Sequence, residues 1–269
     1  MKKSFIIGLC SVLCILYSAQ AHAWSYASET ATEMQAAQLR FGAEFNKKWK
    51  NGIRLGISED LRFDLYNSAV GPHFRKSYTT IDFGYKPIDY LKLDVGYTLR
   101  IIGADSTWSA TKKADPNEWI RHRLFFSATG SYTFRYAKIF LRERLQLDMR
   151  TDSVNLLEKN KYNVLLRSKI GTEFIVPGKP VKPYLWVELI NTLNAPEYQQ
   201  KNGHQFITDV RTQAGVKWRL TRLSSLDFFY RFSYGYDRDI NITKNKGKIQ
   251  LTEEKLFMHS IGITYNLDW

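Results

Sequence analysis

Ile261-Gly262-Ile263-Thr264-Tyr265-Asn266-Leu267-Asp268-Trp269 ends the chain with a large apolar residue at every odd position and a small or polar one at every even position. A period of two belongs to a strand with one apolar face and one polar face. A terminal strand leaves an unpaired edge, which proteins cover, blunt or close onto another strand. Closure predicts that the rest of the chain is a series of similar strands, the first pairing with the last.

The composition favours the same reading. Lys2 and Lys3, an apolar run from Phe5 to Tyr17 and the exit Ala21-His22-Ala23 have the pattern of a secretory signal peptide over residues 1–23, so the mature chain is expected to begin at Trp24. Cys10 and Cys14 both fall inside that run, each preceded by Leu, which disfavours lipid attachment and leaves residues 24–269 without a disulfide. No later stretch has the length of uncharged apolar sequence that a membrane helix needs. Yet the chain carries 16 Tyr, 16 Phe and 7 Trp at a mean hydropathy of −0.36. Strands that give lipid one face and water the other reconcile the two facts, and point to a transmembrane barrel. The net charge of +13 becomes 13 − 2 = +11 without Lys2 and Lys3, a balance suited to anionic headgroups or an anionic solute, or simply to an Arg/Lys-rich lumen.

Alternation recurs along the chain. Ala37, Leu39, Phe41, Ala43 and Phe45 share one face before the Asn51-Gly52 turn, and Ile53, Leu55, Ile57, Leu61, Phe63 and Leu65 mark the next strand. Ile81, Phe83 and Tyr85 lead through Lys86-Pro87-Ile88-Asp89 into Leu91, Leu93, Val95, Tyr97, Leu99 and Ile101, the clearest hairpin. Further strands are expected at Trp119–Gly130, Ile139–Met149, Tyr162–Phe174, Tyr184–Leu193, Phe206–Trp218, Leu226–Tyr236 and Leu256–Trp269, with Gly103–Glu118 and Asp237–Glu254 as long polar loops. Short and long connections alternate, as in a barrel with tight periplasmic turns and longer outer loops. Eleven strands are clear. An upward strand should precede Gln35–Asn46, and Trp24–Thr30 is its candidate; that gives twelve strands, with ten as the alternative count. Trp24, Trp49, Tyr85, Tyr90, Trp119, Tyr132, Tyr136, Tyr184, Trp218 and Tyr265 near strand ends form the expected headgroup girdle.

The polar face contains a repeat. Arg123, Arg167 and Arg211 are spaced evenly, 167 − 123 = 211 − 167 = 44. Residues opposite them across the following turn are Glu143, Glu188 and Arg231, and Arg40 with Glu59 brackets the Trp49 turn likewise. These eight residues form a candidate belt of charge in the lumen. It either fills and seals a small barrel or forms a constriction with a transverse field for passing solutes. Glu59 and Glu143, however, share parity with apolar neighbours. A lipid-facing Glu costs about 2 kcal/mol, so a bulge or shifted register is expected at each.

Catalytic chemistry finds little support. Of His73, His122, His204 and His259, only His259 adjoins a serine, Ser260, and neighbours on a strand point to opposite faces. No histidines or carboxylates recur at metal-ligand spacing, so neither cofactor nor metal is expected. Basic residues among aromatics could indicate nucleic acid, but an exported barrel excludes that partner.

Taken together, Arg121-His122-Arg123-Leu124, Asn163-Val164-Leu165-Leu166-Arg167, Lys182-Pro183-Tyr184 with Glu188, Arg211 with Gly215, Leu226-Asp227 with Tyr230-Arg231, and His259-Ser260-Ile261-Gly262 resemble a domain-of-unknown-function family of bacterial outer-membrane barrels. The likeness spans nearly all of residues 24–269. It implies fold and outer-membrane location, and transfers no catalytic residue. Arg231 departs from the pattern, standing where the repeat would place an acid. The closing strand also looks like the signal read by barrel-assembly machinery, with Trp269 in place of the commoner Phe. Outer-membrane lipids, that machinery and a small solute are the partners expected. The expected function is a non-enzymatic barrel, either a narrow or gated pore for a small solute or a structural barrel of the envelope. A barrel-embedded enzyme acting on envelope lipids and a loop-mediated binding protein are the alternatives.

Overall fold

Period-two alternation produces strands and nothing else in the computed structural model, which describes residues 30–65, 73–103, 120–151, 161–195, 206–243 and 248–269. The strands are β1 (Thr30–Lys48), β2 (Ile53–Asp64), β3 (His73–Ile88), β4 (Leu91–Ile102), β5 (Ile120–Thr133), β6 (Ala137–Arg150), β7 (Tyr162–Phe174), β8 (Val181–Thr192), β9 (Ile207–Arg219), β10 (Ser224–Thr243) and β11 (Lys248–Asp268). Sequential neighbours pair antiparallel all the way round, and β1 meets β11 to close the barrel. No described helix is long and apolar enough to cross a membrane.

Closure differs from expectation in one respect. β1 and β11 pair directly and in parallel, from Thr30↔Thr252 to Asn46↔Asp268. No strand fits between them, so the barrel has eleven described strands rather than twelve or ten. The expected strand Trp24–Thr30 lies outside the described residues except for Thr30, which already belongs to β1. The twelve-strand count assumed antiparallel closure, which requires an even number; a parallel seam admits an odd one. Parallel pairing is slightly weaker per residue, and here the seam is long and its lower end is tied. Lys48 donates its amide to the Trp269 carbonyl at 2.9 Å, and Trp269 returns a bond to the Asn46 carbonyl at 2.9 Å. Lys48 also pairs with Asp268 at 2.7 Å. The terminal segment is therefore paired on both flanks.

The short turns work as the sequence anticipates. Gly52 and Gly178 take φ values of 83° and 70°, which a side chain would strain. One expected loop is mostly strand: β10 continues to Thr243 and β11 begins at Lys248, placing Ile240 opposite Leu251 and Ile242 opposite Ile249. Those four residues keep the period of two, hidden by the charges around them.

The outer face is apolar, with Phe83, Val95, Phe126 and Ile261 more than half exposed. Trp49, Tyr85, Tyr90, Tyr132, Tyr136, Trp218 and Tyr265 are exposed near the short-turn end, joined by Trp269. Trp24 and Trp119 lie outside the described residues. Tyr184 is a correction: it points inward and is 6% exposed, because it shares parity with Trp186 and Glu188 rather than with Leu185 and Val187.

Candidate functional site

The inner wall is built in radial layers. Glycines on one strand make room for aromatic rings from the next: an added Cβ at Gly96 would lie 2.5 Å from the Phe125 ring, at Gly215 2.7 Å from Tyr184 Cζ, and at Gly262 2.2 Å from Phe229. Gly171, opposite Trp186, would meet its Cβ at 2.6 Å and Phe140 at 2.7 Å. Rings lying flat on backbone keep their bulk out of the lumen's centre. Cations then cap the rings: Lys169 Nζ sits 3.5 Å from the Trp186 centroid, Arg144 4.0 Å from Phe125, and Arg231 5.1 Å from Trp186. Tyr184, Trp186 and Phe229, with Phe140 against them, form the buried cluster of this layer.

All five arginines of the candidate belt face the interior. Arg40 pairs with Asp60; Arg123 holds Asp148 through two bonds of 2.7 and 2.8 Å. Arg167 donates to Glu188 at 2.7 Å. Arg142 reaches the same carboxylate at 3.3 Å and Arg211 at 4.0 Å. Arg231 bonds Gln213 at 2.7 Å. Glu188 is 1% exposed, so it is held inside a ring of guanidiniums that supply its hydrogen bonds. A second cluster surrounds Tyr78, whose ring centroid lies 4.2 Å from Arg62, 5.5 Å from Arg123 and 5.8 Å from Arg100.

Glu59 and Glu143 are not in the lumen. Both sit on the outer face with no bulge to turn them: the β2–β3 irregularity falls between Arg62 and Phe63, and β6 pairs regularly on both sides. Neighbouring hydroxyls compensate them instead. Ser77 and Thr79 donate to Glu59, the latter at 2.6 Å, and Ser168 donates to Glu143 at 2.6 Å. The lumenal acids that take their places are Asp60 and Asp148. A sequence signal for Asp148 existed, since Ile139, Leu141, Leu145 and Leu147 assign the even residues of β6, Arg142, Arg144, Gln146 and Asp148 among them, to the polar face.

Comparison with known proteins places the chain. Residues 35–243 match a family described as protein of unknown function (DUF2490). The chain belongs to the DUF2490 family. A solved structure titled "NanC porin structure in rhombohedral crystal form" is similar with a TM-score of 0.43 and 9% identity, over 72% of this chain and 86% of that one. No curated protein matches this chain.

The DUF2490 barrel distributes its interior charge unevenly. On β5 to β7 the inward side chains include Arg121, Arg123, Lys138, Arg142, Arg144, Arg150, Arg167 and Lys169, against Asp148 and Glu173. On β1 to β4 the balance is closer, with Glu44, Asp60, Asp64, Asp82 and Asp94 beside Arg40, Arg54, Arg62, Lys76, Lys92 and Arg100. There Arg54 is shared among Asp82, Asp94 at 3.0 Å and Glu44 at 3.9 Å. Toward the short-turn end the interior opens into a vestibule of about 1150 Å³, whose rim and walls include Lys48, Lys86, Lys92, Lys138, Lys182, Lys217 and Arg222 with Glu44, Asp89, Glu173 and Asp268. Among the described residues no group of His, Cys, Asp or Glu has metal-site geometry.

Proposed function

We propose that this DUF2490 protein is an outer-membrane barrel that provides a narrow path for a small solute and performs no catalysis. The observation that carries the proposal is a closed wall, apolar outside and charged inside, whose interior widens into the vestibule. A soluble monomer rarely exposes so continuous an apolar surface, whereas a lipid-embedded barrel requires one. The eleven described strands lie between the size that side chains fill and the size that leaves an open aqueous channel, which favours a constricted passage. Outer-membrane lipids against the apolar band, and barrel-assembly machinery at the strand ending in Trp269, are the partners of this reading. Purified protein in planar bilayers should give discrete conductance steps. A complete absence of steps, with the barrel folded, would favour a structural barrel of the envelope.

A further inference from the structure

We infer that the cationic face of β6 and β7, centred on Arg142, Arg144 and Lys169 beside Glu188, is a binding site for a small oxyanion solute, with a carboxylate as its pattern. The inference rests on the reading of the barrel as a pore. Three observations support it.

First, the strand register sets like charges directly opposite one another: Arg142 faces Lys169, and Arg144 faces Arg167. Such pairs are destabilising unless an anion lies between them. Second, the described residues supply fewer anions than cations to this cluster. Glu188 serves Arg142, Arg167 and Arg211 at once and faces Lys169 across β7 and β8, while Arg144 and Lys169 are placed over the rings of Phe125 and Trp186. The buried Nε atoms of Arg142, Arg144 and Arg167 have no hydrogen-bond partner among the described residues. Third, Glu188 displays the chemistry available: one oxygen takes Arg167 at 2.7 Å and the other Arg142 at 3.3 Å. A solute carboxylate entering from the cationic vestibule meets the same donors, exchanging with Glu188 for a shared guanidinium as it passes. Two carboxylates near one cationic cluster repel each other, so the resident acid holds the solute's dwell time down and favours passage over trapping.

The test is the reversal potential of wild-type channels in a planar bilayer under a KCl gradient, followed by block with succinate, inorganic phosphate and, as a neutral control, glycerol. Anion-selective current, blocked by succinate or phosphate but not glycerol, is expected. Lys169→Gln and Arg144→Gln should each lower the anion-to-cation permeability ratio and the succinate block several-fold. Lys169→Met provides a second substitution of the same charge should either variant fail to fold. Conductance that is unselective or cation-selective overturns the inference and leaves the pore reading standing. If no conductance occurs the pore reading fails, and calorimetric titration of succinate into the detergent-solubilised barrel decides the site by itself. Heat that disappears in Lys169→Gln supports the site; absence of heat in the wild type overturns it.

Discussion

At the scale of single residues, the interior depends on charges sharing partners and on glycines yielding space. Glu188 is the carboxylate among Arg142, Arg167 and Arg211, and its removal leaves three guanidiniums facing one another. Glu188→Gln should destabilise the barrel by about 3 kcal/mol, the usual cost of stripping one member from a buried ion pair, read from urea unfolding by the shift in gel mobility between folded and heated protein. An unchanged midpoint would mean that water already screens the cluster. Gly262 leaves 2.2 Å between an added Cβ and the Phe229 ring, so Gly262→Val should cost about 1–3 kcal/mol through overpacking. Combining it with Phe229→Ala should recover part of the loss; a purely additive double variant would show that the ring is not what fills the space. On the outer face, Glu143→Leu should leave stability equal or raise it by about 1 kcal/mol, because in the membrane setting proposed above a carboxylate there faces lipid with one serine hydroxyl as its partner. A loss of more than that would mean Glu143 supports something beyond its own strand.

At the scale of strands, alternation identified every described strand but not how far each slides along its neighbour. Counting symmetrically across a turn placed Glu59 opposite Arg40 and Glu143 opposite Arg123, whereas the register places Arg62 and Asp148 there. The offsets are 62 − 59 = 3 and 148 − 143 = 5, both odd, and an odd slip moves a side chain to the other face. For Arg167 and Arg211 the true partners are Ile190 and Ser233, so the offsets from Glu188 and Arg231 are both 2; an even slip keeps the face, and these two residues do line the lumen. Turn centres in polar loops are invisible to hydrophobic pattern, which is why the arginines were legible and two of the acids were not. The inward aromatics escaped for a related reason: Phe125, Tyr184, Trp186 and Phe229 read as apolar, yet occupy the polar face because glycines opposite them accept a flat ring. The parallel seam was equally hidden, since strand pattern carries no direction. Gln38 and Ser260 are paired across it and almost fully buried, so Gln38→Cys with Ser260→Cys should form a disulfide detectable by peptide mass mapping. Neighbouring strands lie about 4.8 Å apart; a strand inserted between β1 and β11 would double that distance and prevent the bond.

At the scale of the whole molecule, a closed wall separates two environments, and the function proposed for it follows from which side chains meet which. The apolar residues of β10, Phe228 and Tyr230, should contact acyl chains, while Asp227, Phe229 and Arg231 look into the hydrated interior. Nitroxides attached one at a time to residues 226–231 of the barrel in lipid vesicles test this most directly, by comparing relaxation caused by oxygen, which partitions into lipid, with that caused by a water-soluble nickel chelate. The account predicts strict alternation, oxygen acting at 226, 228 and 230 and the chelate at 227, 229 and 231. Equal access of the chelate to all six, or protection of the even positions from both reagents as in a water-soluble core, would contradict it.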